Sequence, residues 1–300
     1  VSTSSDNPHS PFSLRREKAF PFLLIAPAVT VLLALSIYPL IYTIKVSFQR
    51  GAGNEADWTI ENFTRLFTDS FFRDALLHTL IYAVTALTCE FLLGLGLALL
   101  VDRPLRGRNL FRAILLIPMM LPPVVVGVMW RLMFNPNFGA INGTLKSAGV
   151  NTDALTWTAS PALALISVIA VDVWQWTPFI FLVLLAGLQA IPQEPYEAAM
   201  IDGASAWQTF AHVTLPLLKP AILIALLLRT MDLLRVFDQI FILTEGGPAF
   251  ATETVSLYIY RTAFRFSDFG YAAAMSFVLL VVTNVISAFY IRLLQRQEAQ

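Results

Sequence analysis

Phe269-Gly-Tyr-Ala-Ala-Ala-Met-Ser-Phe-Val-Leu-Leu-Val-Val-Thr-Asn-Val-Ile-Ser-Ala-Phe-Tyr-Ile291 carries no charged side chain. A helix rises about 1.5 Å per residue, so about 20 such residues cross a hydrocarbon core about 30 Å thick. The same absence recurs in residues 19–44 and 113–130, while 75–101 contain only Glu90 and 154–193 only Asp172. The short alternating strands of a membrane barrel do not produce uncharged runs of this length. The sequence therefore predicts helical spans near 20–46, 76–101, 111–133, 161–188 and 269–292. A sixth is expected near 217–243, although it contains Arg229, Asp232, Arg235 and Asp238. One such run could be the core helix of a soluble protein, but six leave too little polar sequence to cover them. The expected fold class is all-α, a polytopic membrane protein with six transmembrane helices.

Composition agrees. Of 300 residues, 57% are apolar and 13% charged, against about 25% charged in an average soluble domain. Lys and Arg total 20 and Asp and Glu total 20, so no net charge points to nucleic acid. Cys89 is the one cysteine, which excludes an internal disulfide framework and a thiolate metal cluster. His9, His78 and His212 are far apart, and no glycine-rich phosphate loop is present. Neither catalytic residues nor metal ligands are expected.

Residues 1–19 read as a polar tail, 20–292 as the six-span domain and 293–300 as a second tail. Arg15, Arg16 and Lys18 precede the first span as in a signal peptide. The apolar stretch is too long for one, and no small-residue cleavage site follows, so it reads as a retained anchor. Residues 102–112 hold Arg103, Arg106, Arg108 and Arg112. With the N-terminal cluster, Arg292 and Arg296, they predict that loop and both termini on the cytoplasmic side. Residues 189–216 then lie inside, and 47–75, 134–160 and 244–268 outside. The outside bases Lys45, Arg50, Arg65 and Arg73 are interleaved with Glu55, Asp57, Glu61, Asp69 and Asp74.

The span at 217–243 decides what kind of membrane protein this is. Its Leu, Ile, Val and Phe residues favour insertion by about 6 kcal/mol together, whereas its charges cost about 12 kcal/mol if unpaired. Such a helix faces protein or water. The charges recur every third residue with alternating sign, which fits either a self-neutralising i,i+3 ladder or a polar wall along a substrate path. Asp232, Arg235, Asp238 and Gln239 are the candidate path residues, with Asp172 and Gln175 nearby. Glu90 and Asn284 are further polar groups at membrane depth, and Gly94 with Ala98 permits close helix approach. Pro27, Pro39, Pro118, Pro122, Pro123 and Pro178 are expected to interrupt or kink spans. Trp174 and Trp176 lie deep enough to stack on a sugar face, although packing is the simpler role.

Residues 191–216 read as two short helices. Pro195 suits the first turn of one, Glu197 its positive dipole end, and Gly203 the left-handed position that ends it. Ser205 and Gln208 have capping-box spacing for the next, and Pro216 and Pro220 delimit entry into the following span. The result is a compact hairpin shaped to dock into another protein.

Glu197-Ala198-Ala199, three residues, Gly203, nine residues, Val213, one residue and Leu215-Pro216 resembles the EAA motif of ATP-binding cassette (ABC) importer permeases. Val213 stands where isoleucine is usual. Trp174-Gln-Trp-Thr-Pro-Phe179, Asp202-Gly-Ala-Ser205, Arg235-Val-Phe-Asp238, Leu243-Thr-Glu-Gly-Gly-Pro248 and Asn135-Pro-Asn-Phe-Gly-Ala-Ile-Asn142 are similar to the carbohydrate-importer, MalF-like branch. The resemblance covers residues 20–292 and lacks the large periplasmic insertion of some relatives.

The resemblance implies the type I ABC importer permease fold and a multi-pass protein of a bacterial or archaeal plasma (inner) membrane. It implies a heterodimer with a second homologous permease, two copies of an ABC ATPase subunit, and an extracytoplasmic substrate-binding protein that delivers a sugar. ATP and Mg would belong to the ATPase, leaving this chain without a cofactor and non-catalytic. Glu197, Ala198, Ala199, Asp202, Gly203, Leu215 and Pro216 would form the ATPase-coupling segment. The alternative is a stand-alone secondary transporter coupling ions through Glu90, Asp172 and the Arg/Asp ladder. No internal inverted repeat supports it. An intramembrane enzyme has no Ser/His/Asp constellation to rest on.

Overall fold

The computed structural model describes residues 11–50, 57–102 and 107–298. The chain runs as helix α1 (Pro11–Ser47), a two-residue hairpin of β1 (Gln49–Arg50) and β2 (Asp57–Trp58), then α2 (Glu61–Thr68) and α3 (Ser70–Asp102). Next come α4 (Arg108–Met120), α5 (Pro123–Met133), α6 (Ala140–Ser147), α7 (Pro161–Ala190), α8 (Glu194–Ile201) and α9 (Ala206–Thr209). A π-turn (Phe210–Thr214) leads into α10 (Leu215–Leu233), followed by α11 (Asp238–Leu243), α12 (Val255–Phe264) and α13 (Phe269–Glu298). Five helices among the described residues are long and apolar enough to cross a membrane, and α4 with α5 make six if that bent pair is one span.

Four expectations need correction. The span at 111–133 is two helices meeting at 95°. Pro122 and Pro123 supply no amide hydrogens to continue the helical ladder. The Leu121 carbonyl at the break instead accepts from Gln175 Nε2 at 2.9 Å.

The span at 217–243 begins earlier and stops sooner, as one helix over Ala206–Leu233. The second short helix of residues 191–216 is therefore its N-terminal part, and Pro216 does not delimit it. The π-turn just before Pro216, closed by the Leu215 amide on the Phe210 carbonyl, widens the helix where the proline cannot donate. The four charges consequently do not form one helical row. Arg229 and Asp232 are in α10, Arg235 is in the break, and Asp238 opens α11. Finally, α1 starts at Pro11 and α13 reaches Glu298, so the proposed tails are helical in those parts. Residues 1–10, with Arg103 and Arg106, lie outside the described residues.

α3 and α7 form the centre of the bundle. Ala86, Ala98, Ile180, Phe181 and Leu184 are fully buried along their contact. A Cβ at Gly94 would meet Ile180 Cγ2 at 2.7 Å and the Phe181 amide nitrogen at 3.0 Å. Gly187 brings α10 in similarly, because a Cβ there would meet the Ala221 Cβ at 2.6 Å. α10 packs against both, α13 packs on α10, and α1 lies outside against α13.

One end of the bundle carries α8 and the other carries α2 and α12. At the α12 end, Asp69 Oδ2 accepts from the Tyr258 and Tyr271 hydroxyls, each at 2.8 Å, while its Oδ1 caps the start of α3. Burial alone would raise that carboxyl, but these hydrogen bonds outweigh it and hold Asp69 below the ordinary carboxylate range. Three helices are pinned by one side chain.

Gly94→Ala is expected to cost about 1–3 kcal/mol because α7 leaves no room for the methyl group. Gly96→Ala, with nothing within 4 Å of its added Cβ, should be neutral or slightly stabilising. Thermal midpoints of the two variants in detergent check this, and equal midpoints would contradict the packing.

Candidate functional site

Arg229 points from α10 into the contact between α3 and α7. Its Nε donates to Glu90 Oε2 at 2.8 Å, and its Nη2 to Glu90 Oε1 at 2.7 Å and Asp172 Oδ2 at 2.8 Å. The three residues are at most 2% exposed. The guanidinium lies 4.9 Å from the Trp176 ring centroid. A charge this deep is expensive, so the bidentate Glu90 pairing and the added Asp172 bond are what make the position tenable. Glu90 and Asp172, the lone charges of two otherwise uncharged spans, thus share one partner. The i,i+3 contacts of Arg229 with Asp232 (3.9 Å) and of Asp232 with Arg235 (3.8 Å) are looser.

Beside this cluster is a cavity of about 360 Å³. Asp172, Trp176, Arg229, Asp232, Arg235, Asp238 and Gln239 line it. Five of the six candidate path residues are thus brought together. Gln175 stands behind them, accepting a short hydrogen bond from Gln239 Nε2 and donating to Leu121. Arg229, expected as part of the charge ladder or polar wall, and Trp176, expected chiefly to pack, line it as well. The break after Leu233 turns Arg235 and Asp238 toward the cavity. Asp232 and Arg235 have side chains about half exposed in the isolated chain. The arrangement offers hydrogen-bond donors, acceptors and one aromatic wall, a set suited to holding a polyhydroxylated molecule.

The second candidate region is the α8 end. α8 begins with Glu194 and Pro195, is capped by Asp202, and turns through Gly203 at φ +71°. Ser205 and Gln208 close a capping box that starts α9. Glu197 and Ala198 are exposed. So are Met200, Ile201 and Trp207, at 74%, 86% and 73%, an apolar display on an otherwise polar tip. Leu215 and Pro216 are exposed one level deeper, in the first turn of α10. Ala199, Asp202 and Gly203 border a shallow hollow of about 310 Å³ with Gln208 and His212.

Residues 90–299 match the family described as binding-protein-dependent transport system inner membrane component. The chain belongs to this family. It is 38% identical over 280 residues to the trehalose/maltose transport system permease protein MalF of Thermococcus litoralis, covering 92% of this chain and 94% of that one. It is 35% identical over 271 residues to the lactose transport system permease protein LacF of Rhizobium radiobacter, covering 89% and 91%. A bacterial ABC transporter that imports the acidic polysaccharide alginate has a chain of the same fold, with TM-score 0.82 at 23% identity over 96% of this chain and 99% of that one. As an inner membrane component, the protein is a multi-pass, non-catalytic part of a transport system rather than a stand-alone ion-coupled carrier.

Arg229→Met is expected to destabilise the protein by about 3–5 kcal/mol, because it leaves Glu90 and Asp172 buried without a cation. The double variant Arg229→Met/Glu90→Met should recover part of that loss. A double-mutant cycle on unfolding in detergent measures it, and simple additivity would show that the pairing is not coupled.

Proposed function

We propose that this chain forms half of the membrane path of an ATP-driven sugar importer. It pairs with a second, homologous permease, and two ATPase subunits on the α8 side bind ATP and Mg. An extracytoplasmic binding protein delivers the sugar at the α12 end. Both termini and the α8 end are cytoplasmic. The sugar readings of its relatives, trehalose/maltose and lactose, support a neutral saccharide here. So does the cavity, where the carboxylates of Asp172, Asp232 and Asp238 outnumber the guanidiniums of Arg229 and Arg235 and would repel an anionic sugar.

The observation that carries this reading is mechanical. Helix Ala206–Leu233 starts at the exposed tip and ends at the cavity, and it holds Arg229 and Asp232. From Ala206 to Arg229 it spans about 35 Å at about 1.5 Å per residue. Displacement of the tip by a nucleotide-driven partner is displacement of the cavity wall. Glu197, Ala198, Ala199, Asp202 and Gly203 form the docking part of that tip. Small side chains allow close approach, and Glu197 supplies a charge-assisted contact. Leu215 and Pro216 lie just beyond the π-turn, where the rod enters the bundle. Asp232, Arg235, Asp238 and Gln239, with Asp172, contact the passing hydroxyl groups, and Gln175 positions Gln239.

Glu197→Lys and Gly203→Asp are expected to leave membrane insertion intact. In proteoliposomes with the full assembly they should lower uptake at least tenfold, a coupling loss of about 1.4 kcal/mol or more. ATP hydrolysis would no longer respond to the sugar-loaded binding protein. Uptake at the unmodified rate by both variants would remove the coupling role of this segment.

A further inference from the structure

At the α12 end, where the C-terminal end of α1 meets the start of α13, lies a cavity of about 480 Å³. That volume is within the roughly 300–1,000 Å³ of small-molecule sites. Tyr42 and Val46 of α1 form one wall, and Ser267 to Gly270 form another. The rest of the lining is polar. Arg50 Nη1 pairs with Glu61 Oε2 at 2.7 Å, and Arg65 Nη1 with Asp268 Oδ2 at 2.7 Å.

The walls are fixed by the protein itself. Asn62, buried under the cavity, donates to the carbonyls of Ser47 and Gln49, at 3.0 and 2.9 Å. Gly270 lets α13 approach so closely that a Cβ there would lie 2.5 Å from the Gln49 carbonyl oxygen.

We propose that this cavity binds the headgroup of a zwitterionic phospholipid, its phosphate on Arg50 and Arg65 and its ammonium on Glu61 and Asp268. Three observations converge on a lipid. The cavity sits at the ends of two membrane-crossing helices, Leu24–Ser47 and Phe269–Arg296, and so at the level of the headgroups. Directly along α1 from it, no residue in the apolar window is buried within the isolated chain, so apolar side chains run on from the cavity along the helix. Tyr38 and Tyr42, stacked with centroids 6.3 Å apart on that surface, mark the aromatic belt between the two regions.

The charge pattern selects the headgroup. Two guanidiniums and two carboxylates balance, which favours a zwitterion over an anionic lipid. Exposed ion pairs of this kind contribute only about 0–1 kcal/mol, so exchanging a partner for a phosphate oxygen or an ammonium costs little. A primary ammonium donates hydrogen bonds to the carboxylates, and a trimethylammonium does not.

The test is native mass spectrometry of the assembled transporter, given dioleoyl phosphatidylethanolamine, phosphatidylcholine or phosphatidylglycerol in equal amounts. Phosphatidylethanolamine should be retained in preference to the other two. Arg50→Gln and Glu61→Gln, both at exposed positions, should each abolish that preference, while Lys45→Gln, outside the cavity, should not. Equal retention of all three lipids, or an unchanged preference in both cavity variants, would overturn the proposal. So would full competition by soluble glycerophosphoethanolamine, which would show a site for a free headgroup compound rather than a lipid.

Discussion

The guanidinium of Arg229 constrains the rest of the molecule. A cation at membrane depth is stable only when paired and hydrogen-bonded, and its partners come from two other spans. Glu90 on α3 and Asp172 on α7 meet it because Gly94 and Gly187 let α3, α7 and α10 pack closely. Backbone proximity and charge satisfaction are therefore one condition. Filling either glycine position would lengthen the ion-pair distances, and removing the cation would leave two carboxylates in the bundle centre.

The same cluster connects the protein's two ends. α10 is held at Arg229, while its continuation through the π-turn and α9 reaches the exposed tip at the α8 end. A rod held along its length, at Leu218, Ala221 and Ala225 as well as at Arg229, carries movement of the tip to the cavity together with its packed neighbours, and rigid-body motion of this kind needs no deformation along the way. The break after Leu233 sits just past the grip. Arg235 within it and Asp238 at its far end are not part of the buried triad. The bend between α4 and α5 is tied to the same region through Gln175, which binds both Leu121 and Gln239.

Much of this was legible in the sequence. Uncharged runs located the long helices, because each must bury or immerse its whole surface in an apolar phase. Gly203 and the Ser205–Gln208 box marked the hairpin tip, since local backbone chemistry fixes turns and caps. Pro122 and Pro123 announced an interruption, but proline composition says nothing about a 95° bend. The break at 234–237 contains neither proline nor glycine, so no local signal gave it away. The pairing of Arg229 with Glu90, 139 residues distant, is a tertiary choice. A lone acid in each of two spans and an arginine in a third were a usable hint that they meet. The i,i+3 spacing around Arg229 drew the reading toward its near neighbours instead.

The central claim is that movement of the hairpin tip alters the cavity beside Arg229. Val236→Cys in a Cys89→Ser background places one thiol in the cavity wall of the assembled transporter. Its rate of modification by a membrane-impermeant thiol reagent, applied separately from each side, is the most direct readout. Non-hydrolysable ATP should switch the reactive side from the α8 end to the α12 end, and Gly203→Asp should abolish that switch. Modification from the same side at the same rate with and without nucleotide would contradict the account.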